Sequence, residues 1–386
     1  MTMSRNVAIV GWKQTKHTAC SEVCRERMLY ELIKEFYADL GITKDEVDTM
    51  VLNSNDFQDG RTISEVYPVS WVGAFNKDQT KVDADGSDAV LYALMRILSG
   101  NYDTALIISY AMGGSEFRNQ AIMNYTLDPI YERQRGIINE LSASALQANA
   151  YMLAHGLTEN QLAAYAAKNL KNAAKNPFAL RQMADATPEA VLESKPYYSP
   201  LHELHGYPAT DGACVMLLAS EEKAGQWTDK PVWIRGTGSC QDTYYFGDRD
   251  LVKVDALRKA AQSAYAMAGV SNPAEEIDAA EIHSSFVSQE PIFAEAMGLF
   301  PEGSGGKVID EGLSLIGGKL CVNASGGPQG ANPFTTTGLI RVAEAAAQLT
   351  GKAGDMQHPD SKKAVAHGQT GICGQHNTVF VLSTEL

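Results

Sequence analysis

ERMLYELIKEFYADLGI (residues 26–42) and DALRKAAQSAYAMAGV (residues 255–270) carry apolar side chains at three- and four-residue spacing, and each ends on Gly followed by an aliphatic residue. That spacing reads as an amphipathic helix, and the Gly as its C-terminus. The segments before them match as well: NVAIVGW (6–12) and PVWIRGTGS (231–239) are apolar runs of strand length. The match continues downstream. ITKDEVDTMVLNSNDF (42–57) and VSNPAEEIDAAEIHSSF (270–286) are acidic loops leading into a strand with a polar end. VDADGSDAVLYALMRILSG (82–100) and VNASGGPQGANPFTTTGLIRVAEAAAQLTG (322–351) each feed a Gly/Ser/Asp/Asn loop into a long amphipathic helix. Strands close both halves, in DTALIISYAMGG (103–114) and KKAVAHGQTGICGQHNTVFVLS (362–383).

One unit is therefore used twice. Alternating strands and helices predict an α/β protein with a mostly parallel sheet covered by helices. Residues 1–114 form the first half and residues 231–386 the second. Residues 115–230 form a helical cover, including TENQLAAYAAKNLKNAAKN (158–176) and YYSPLHELHGYPATDG (197–212), together with the return strand of the first half. In such sheets the crevice lies beyond the carboxyl ends of the strands. The candidate loops are then Asp83–Asp88, His283–Ser285, Asn323–Asn332 and Gly371–His376.

With 386 residues, 45% hydrophobic and 20% charged, the chain has the composition of a globular protein of two or three domains, or one duplicated domain. Its net charge of −14, without a basic cluster, argues against nucleic acid or an anionic membrane surface as a partner. No run approaches the roughly 18 apolar residues of a membrane span. The start MTMSRNVAIVGW lacks the pattern of a signal peptide, so the cytoplasm is expected. Six scattered cysteines read as reduced thiols, and Cys20 with Cys24 make only a weak metal signal, so no metal is expected.

Taken together, EIHSSF (281–286), GGKLCVNASGG (317–327), NPFTTTG (332–338), GICGQHN (371–377), YPATDGACVMLLASEE (207–222) and TENQLAAYAAKNLKNAAKNP (158–177) resemble the thiolase superfamily. The likeness is greatest to its sterol-carrier-protein and archaeal types and spans essentially the whole chain. The resemblance implies two tandem βαβαβαββ halves in a five-layer αβαβα arrangement and a homodimer core. It also implies carbon–carbon bond chemistry beside a thioester, with coenzyme A as substrate. Relatives of this kind work with a small partner made of a zinc ribbon and an OB-fold. Within the family the chain is similar to benzoylsuccinyl-CoA thiolases, which release benzoyl-CoA and succinyl-CoA.

His283, flanked by Glu281 and Phe286, fits the family's loop histidine, an oxyanion donor or base. A lone His at a strand end is otherwise a satisfied core group. The departures concern the nucleophile and its base. Where relatives carry a cysteine before the first long helix, this chain has Asp83, Asp85, Ser87 and Asp88, and Asp85 or Ser87 reads equally as a helix N-cap. The family's GHP histidine falls on Asn332, which cannot deprotonate a thiol. Cys373 has three readings: replacement nucleophile, proton shuttle, or small buried apolar residue. His376 either activates Cys373 or caps the turn. Cys214 and Cys321 read as structural, and Cys240 is undetermined.

Gly326, Gly327 and Gly338 are placed to let backbone approach the acyl thioester, or serve simply as turn residues, and Asn323 belongs to the same oxyanion or substrate loop. Lys168, Lys171, Lys175 and Arg181 are weak candidates for the CoA phosphates, the competing reading being a solvated helix face. His17, His155, His202 and His205 read as surface or lid residues, and Tyr244 and Tyr245 as packed aromatics or phenolic acids. Three functions follow: CoA-dependent cleavage of a 3-ketoacyl-CoA, aldol cleavage of a 3-hydroxyacyl-CoA, or a non-catalytic scaffold.

Overall fold

The computed structural model describes residues 5–59, 62–114, 125, 127–136 and 138–386. Its strands are β1 Val7–Gln14, β2 Thr49–Asn53, β3 Asp78–Val82, β4 Thr104–Met112, β5 Asp211–Ser220, β6 Val232–Gln241, β7 Ala279–Ile282, β8 Cys321–Val322, β9 Lys363–Thr370 and β10 His376–Ser383. The longer helices are α1 Arg25–Leu40, α2 Gly86–Leu98, α3 Glu140–His155, α4 Glu159–Ala173, α5 Asp255–Ala268, α6 Gln289–Ala296 and α7 Thr337–Thr350.

The strand order β3-β2-β4-β5-β1-β6-β10-β9-β7-β8 displays the duplication directly. Outward from the β1–β6 seam, each half runs first, fifth, fourth, second, third strand. At the seam, Ala8 pairs with Trp233 and Ile9 with Val232, antiparallel. The sheet is mixed rather than mostly parallel. β2 and β7 pair parallel with both neighbours. β4–β5 and β9–β10 are antiparallel, because the last two strands of each half follow one another without a crossover helix.

Side-chain alternation along the strands builds the layers. Ile9, Ile107 and Met216 face a central core shared with Ala366 and Phe380 of the second half. Their neighbours Ala8, Leu106 and Val215 face α1 on one outer side. Val365, Val379 and Val381 face the opposite side, where α5 and the cover helices α3 and α4 pack. Between the two half-sheets lie α2 and α7, giving the expected five-layer αβαβα arrangement.

α7 departs from the amphipathic reading, since all of its residues are buried. Its polar groups find partners inside: Arg341 pairs with Glu281 at 2.6 Å, Glu344 accepts from Gln14 at 2.7 Å, and Gln348 donates to the Met356 carbonyl at 2.9 Å. Gly86 lets α2 cross α7 closely, for an added Cβ would meet the Leu339 backbone nitrogen at 2.7 Å. That crossing brings the N-termini of α2 and α7 together at one point.

Among the described residues no helix is long and apolar enough to cross a membrane. Among them too, no group of three or more His, Cys, Asp or Glu is placed to hold a metal ion.

Candidate active site

Loops after the carboxyl ends of β2, β3, β7, β8 and β9 surround a cavity of about 290 Å³, so both halves contribute to one site. Its polar lining includes Asp85, His283, Asn332, Gln369 and Glu140, and its apolar lining Phe57, Tyr125 and Phe334.

Asp85 stands where the two central helices begin. It is the N-cap of α2, its Oδ1 accepting from Ser87 N at 3.0 Å and Ser87 Oγ at 2.6 Å. Its Oδ2 accepts from Gly338 N in the first turn of α7 at 3.0 Å. One carboxylate thus caps two positive helix ends. Gly338 and Gly368 make room for it, since a Cβ on either would lie 1.5 Å or 2.2 Å from Oδ1. The capping reading and a role in the cavity therefore coexist in one residue, whereas Ser87 is wholly buried beneath it.

His283 Nδ1 lies 3.2 Å from Asp85 Oδ2. The Gln369 N–H also approaches Nδ1, at 3.5 Å, the longer of its two contacts; with the ring proton on Nδ1, directed at the nearer carboxylate, Nε2 is the acceptor. Nε2 has no partner among the described residues and is not sealed in. The backbone around it is pinned from several sides. His283 N donates to the His367 carbonyl at 3.1 Å, and Gln369 Nε2 donates to the His283 carbonyl at 2.6 Å. Asn323 Oδ1 accepts from Ile282 N at 2.7 Å, while its amide donates to Glu290 at 3.0 Å. Asn323 thus positions the histidine loop from outside the cavity.

Asn332 uses its Oδ1 to accept from the Thr337 hydroxyl, which leaves its amide N–H groups for the cavity it lines. Glu140 comes from the cover, as the first residue of α3. It is buried, and its only hydrogen-bond partner among the described residues is Tyr207, whose hydroxyl donates at 2.7 Å. Burial pushes its carboxyl up to about 7, the Tyr207 hydrogen bond opposing. No motif marked Glu140 in the sequence; the only signal was Asn139, a capping residue that puts it in the first turn. Asp83, at the rim, has its carboxyl raised by partial burial, against the Lys81 charge and the Asn55 amide.

Other candidates fall elsewhere. Cys373 lies outside the cavity lining, in an apolar cluster with Ile372, Ala143 and Phe246. Burial pushes its thiol up to about 12, which leaves almost no thiolate for nucleophilic work. His376 does not reach Cys373; its Nε2 meets Asp88 Oδ1 at 2.9 Å. None of the other cysteines lines the cavity either. Gly326 and Gly327 face protein rather than ligand: a Cβ would meet Ala173 at 2.5 Å and Asn323 at 2.9 Å. Lys168 is buried in an ion pair with Glu290, which removes it from any phosphate. Lys171 and Lys175 are exposed. Arg181 donates to the Gly206 carbonyl at 2.7 Å. His17 and His205 are buried rather than on the surface, held to about 4 and about 3 by burial. Tyr244 and Tyr245 are exposed and outside the lining.

Comparison with known proteins gives a consistent set. Residues 238–384 match the family model described as "Thiolase C-terminal domain-like". An acetyl-CoA acetyltransferase of Methanothermobacter thermautotrophicus is 28% identical over 379 residues, covering 96% of this chain and 97% of that protein. The benzoylsuccinyl-CoA thiolase subunit BbsB of Thauera aromatica is 28% identical over 237 residues, 61% of each chain. Among solved structures, the Ltp2-ChsH2(DUF35) aldolase superposes with a TM-score of 0.84 at 22% identity, covering 98% of this chain and 97% of that one.

Proposed function

The chain belongs to the thiolase superfamily, and from that premise we propose that it cleaves the Cα–Cβ bond of a 3-hydroxyacyl-CoA by an aldol route without a covalent cysteine. One observation carries the reading: the cavity joining the two halves holds an Asp85–His283 pair and the Asn332 amide, and no cysteine lines it.

His283 Nε2 takes the proton of the β-hydroxyl, with Asp85 stabilising the imidazolium that forms. The Cα–Cβ bond breaks, and its electron pair moves onto the thioester carbonyl as an enolate. The Asn332 amide donates to that oxyanion, a contribution of about 3–4 kcal/mol when such a donor is preorganised. The aldehyde or ketone leaves, and the enolate takes one proton at Cα. One proton leaves oxygen and one arrives at carbon, so no free CoA is consumed. The apolar lining of Phe57, Tyr125 and Phe334 suits an apolar fragment.

CoA-dependent thiolysis is the second reading, favoured by the acetyl-CoA acetyltransferase match over nearly the whole chain. The BbsB match spans too little to choose an acyl group. For assembly, we propose a homodimer core with a small zinc-ribbon/OB-fold partner; the Ltp2-ChsH2(DUF35) neighbour and the BbsB subunit support a partner in general. A cytoplasmic location is part of the same proposal.

The test supplies purified protein, with and without candidate partner, with 3-hydroxyacyl-CoA alone or 3-ketoacyl-CoA plus CoA. Release of a carbonyl compound without free CoA is expected. Cleavage of the 3-ketoacyl-CoA only, with strict dependence on CoA, would replace this reading by thiolysis.

A further inference from the structure

The cleavage proposed above needs two proton transfers, one at the β-hydroxyl and one at Cα. His283, oriented by Asp85, serves the first. The second requires another group in the same cavity, in a different environment.

We propose that Glu140 exchanges the proton at the substrate's Cα, as acid when an enolate is quenched and as base when it is formed; this rests on the carbon–carbon chemistry of the preceding section.

Its position is fixed. Asn139 and Ser142 form a reciprocal cap, with Ser142 N donating to Asn139 Oδ1 at 3.0 Å and Asn139 N to Ser142 Oγ at 2.8 Å. The carboxyl of the next residue is therefore held on a rigid helix start rather than on a free loop. Glu140 lines the cavity with His283 and Asn332 but comes from the cover, so it meets a ligand from an element distinct from the strand-end loops.

One Glu140 oxygen is held by Tyr207, and the other has no partner among the described residues and is not sealed in. No cation pairs with this carboxyl among the described ion pairs. A buried carboxyl with one hydrogen bond and no counter-ion costs folding energy. The groups near it are the Tyr207 hydroxyl, the Cys373 thiol, and, in the shared cavity, His283, Asp83 and Asp85.

The experiment isolates the Cα step. Protein is incubated with propionyl-CoA in D₂O, and deuterium at Cα is followed by mass spectrometry. Wild type exchanges, with a rate that rises as the carboxylate forms near pH 7. Glu140→Gln slows exchange by about 10²-fold or more, while propionyl-CoA affinity stays within about threefold, since the amide preserves size and shape. Tyr207→Phe keeps exchange but moves its midpoint to higher pH, because the hydrogen bond that lowers the carboxyl is gone. Glu140→Asp, which retains the carboxyl, recovers part of the rate and guards against misfolding of the Gln variant.

Exchange in Glu140→Gln equal to wild type, or no exchange in wild type, overturns the assignment. Glu140-dependent exchange in a protein that fails to cleave 3-hydroxyacyl-CoA without free CoA would instead retain Glu140 and overturn the aldol reading.

Discussion

Asp85→Asn keeps every heavy atom in place and removes one charge. The carboxylate accepts from Ser87 N at 3.0 Å, Ser87 Oγ at 2.6 Å and Gly338 N at 3.0 Å, and it faces His283 Nδ1 at 3.2 Å. If the Asn oxygen stays on Ser87, its NH₂ points at the Gly338 N–H and the imidazole N–H, two donors against a donor. Each hydrogen bond to a charged acceptor contributes about 1.5–3 kcal/mol, so losing two costs roughly 3–6 kcal/mol. The two helix N-termini lose a further ~0.3–1 kcal/mol each. Urea unfolding reads this as a lower midpoint with unchanged slope. Turnover falls further than stability alone accounts for: the imidazole changes tautomer and no longer offers Nε2 as a base, a loss on the order of 10³–10⁴. Asp88→Asn, in the first turn of α2 and outside the cavity lining, is the control for turnover alone, since its own pairing with His376 contributes to stability. An Asp85→Asn protein within about 1 kcal/mol of wild type and tenfold in kcat would refute the double-cap geometry and the base together.

Cys373→Ala leaves 3-hydroxyacyl-CoA cleavage within about threefold of wild type, because its thiol is buried away from the cavity; a loss of two orders of magnitude in steady-state assays would return it to the mechanism. The Asp88–His376 pair gives a pH signature, since the Asp88 hydrogen bond raises the histidine above its ordinary value of 6.5, burial opposing. Its stabilisation is complete below that value and fades as pH rises through the higher folded value. Thermal unfolding should therefore show Asp88→Asn more destabilising at pH 6 than at pH 8.5; equal losses at both would contradict the pairing.

The duplication was legible because each half repeats its elements in the same order and ends its first helix on Gly, Gly41 and Gly269, both in the left-handed region. His283, Asp85 and Asn332 could be selected because they sit in short loops after strands, and chain order places such loops at one end of a sheet. The misses share a physical cause: they depend on contacts far apart in sequence. Arg341 and Glu344 made α7 look half-solvated, and only Glu281 and Gln14, at the other ends of the fold, show why they are buried. Lys168 looked like a surface lysine until Glu290 met it in the interior. Cys373 was in a plausible loop, yet its backbone is in the left-handed region, with a φ of 54°, and its side chain packs into an apolar cluster. Glu140 belongs to a helix whose sequence names no function, and its meaning comes from the cavity that α3 closes.

The central claim, carbon–carbon cleavage without a covalent cysteine, is tested most directly by intact-protein mass spectrometry of samples acid-quenched during turnover of 3-hydroxyacyl-CoA. Unmodified protein mass at every time point, alongside accumulating acyl-CoA and carbonyl product, is the expected result. A transient protein species heavier by one acyl group, mapped to any cysteine, would contradict it.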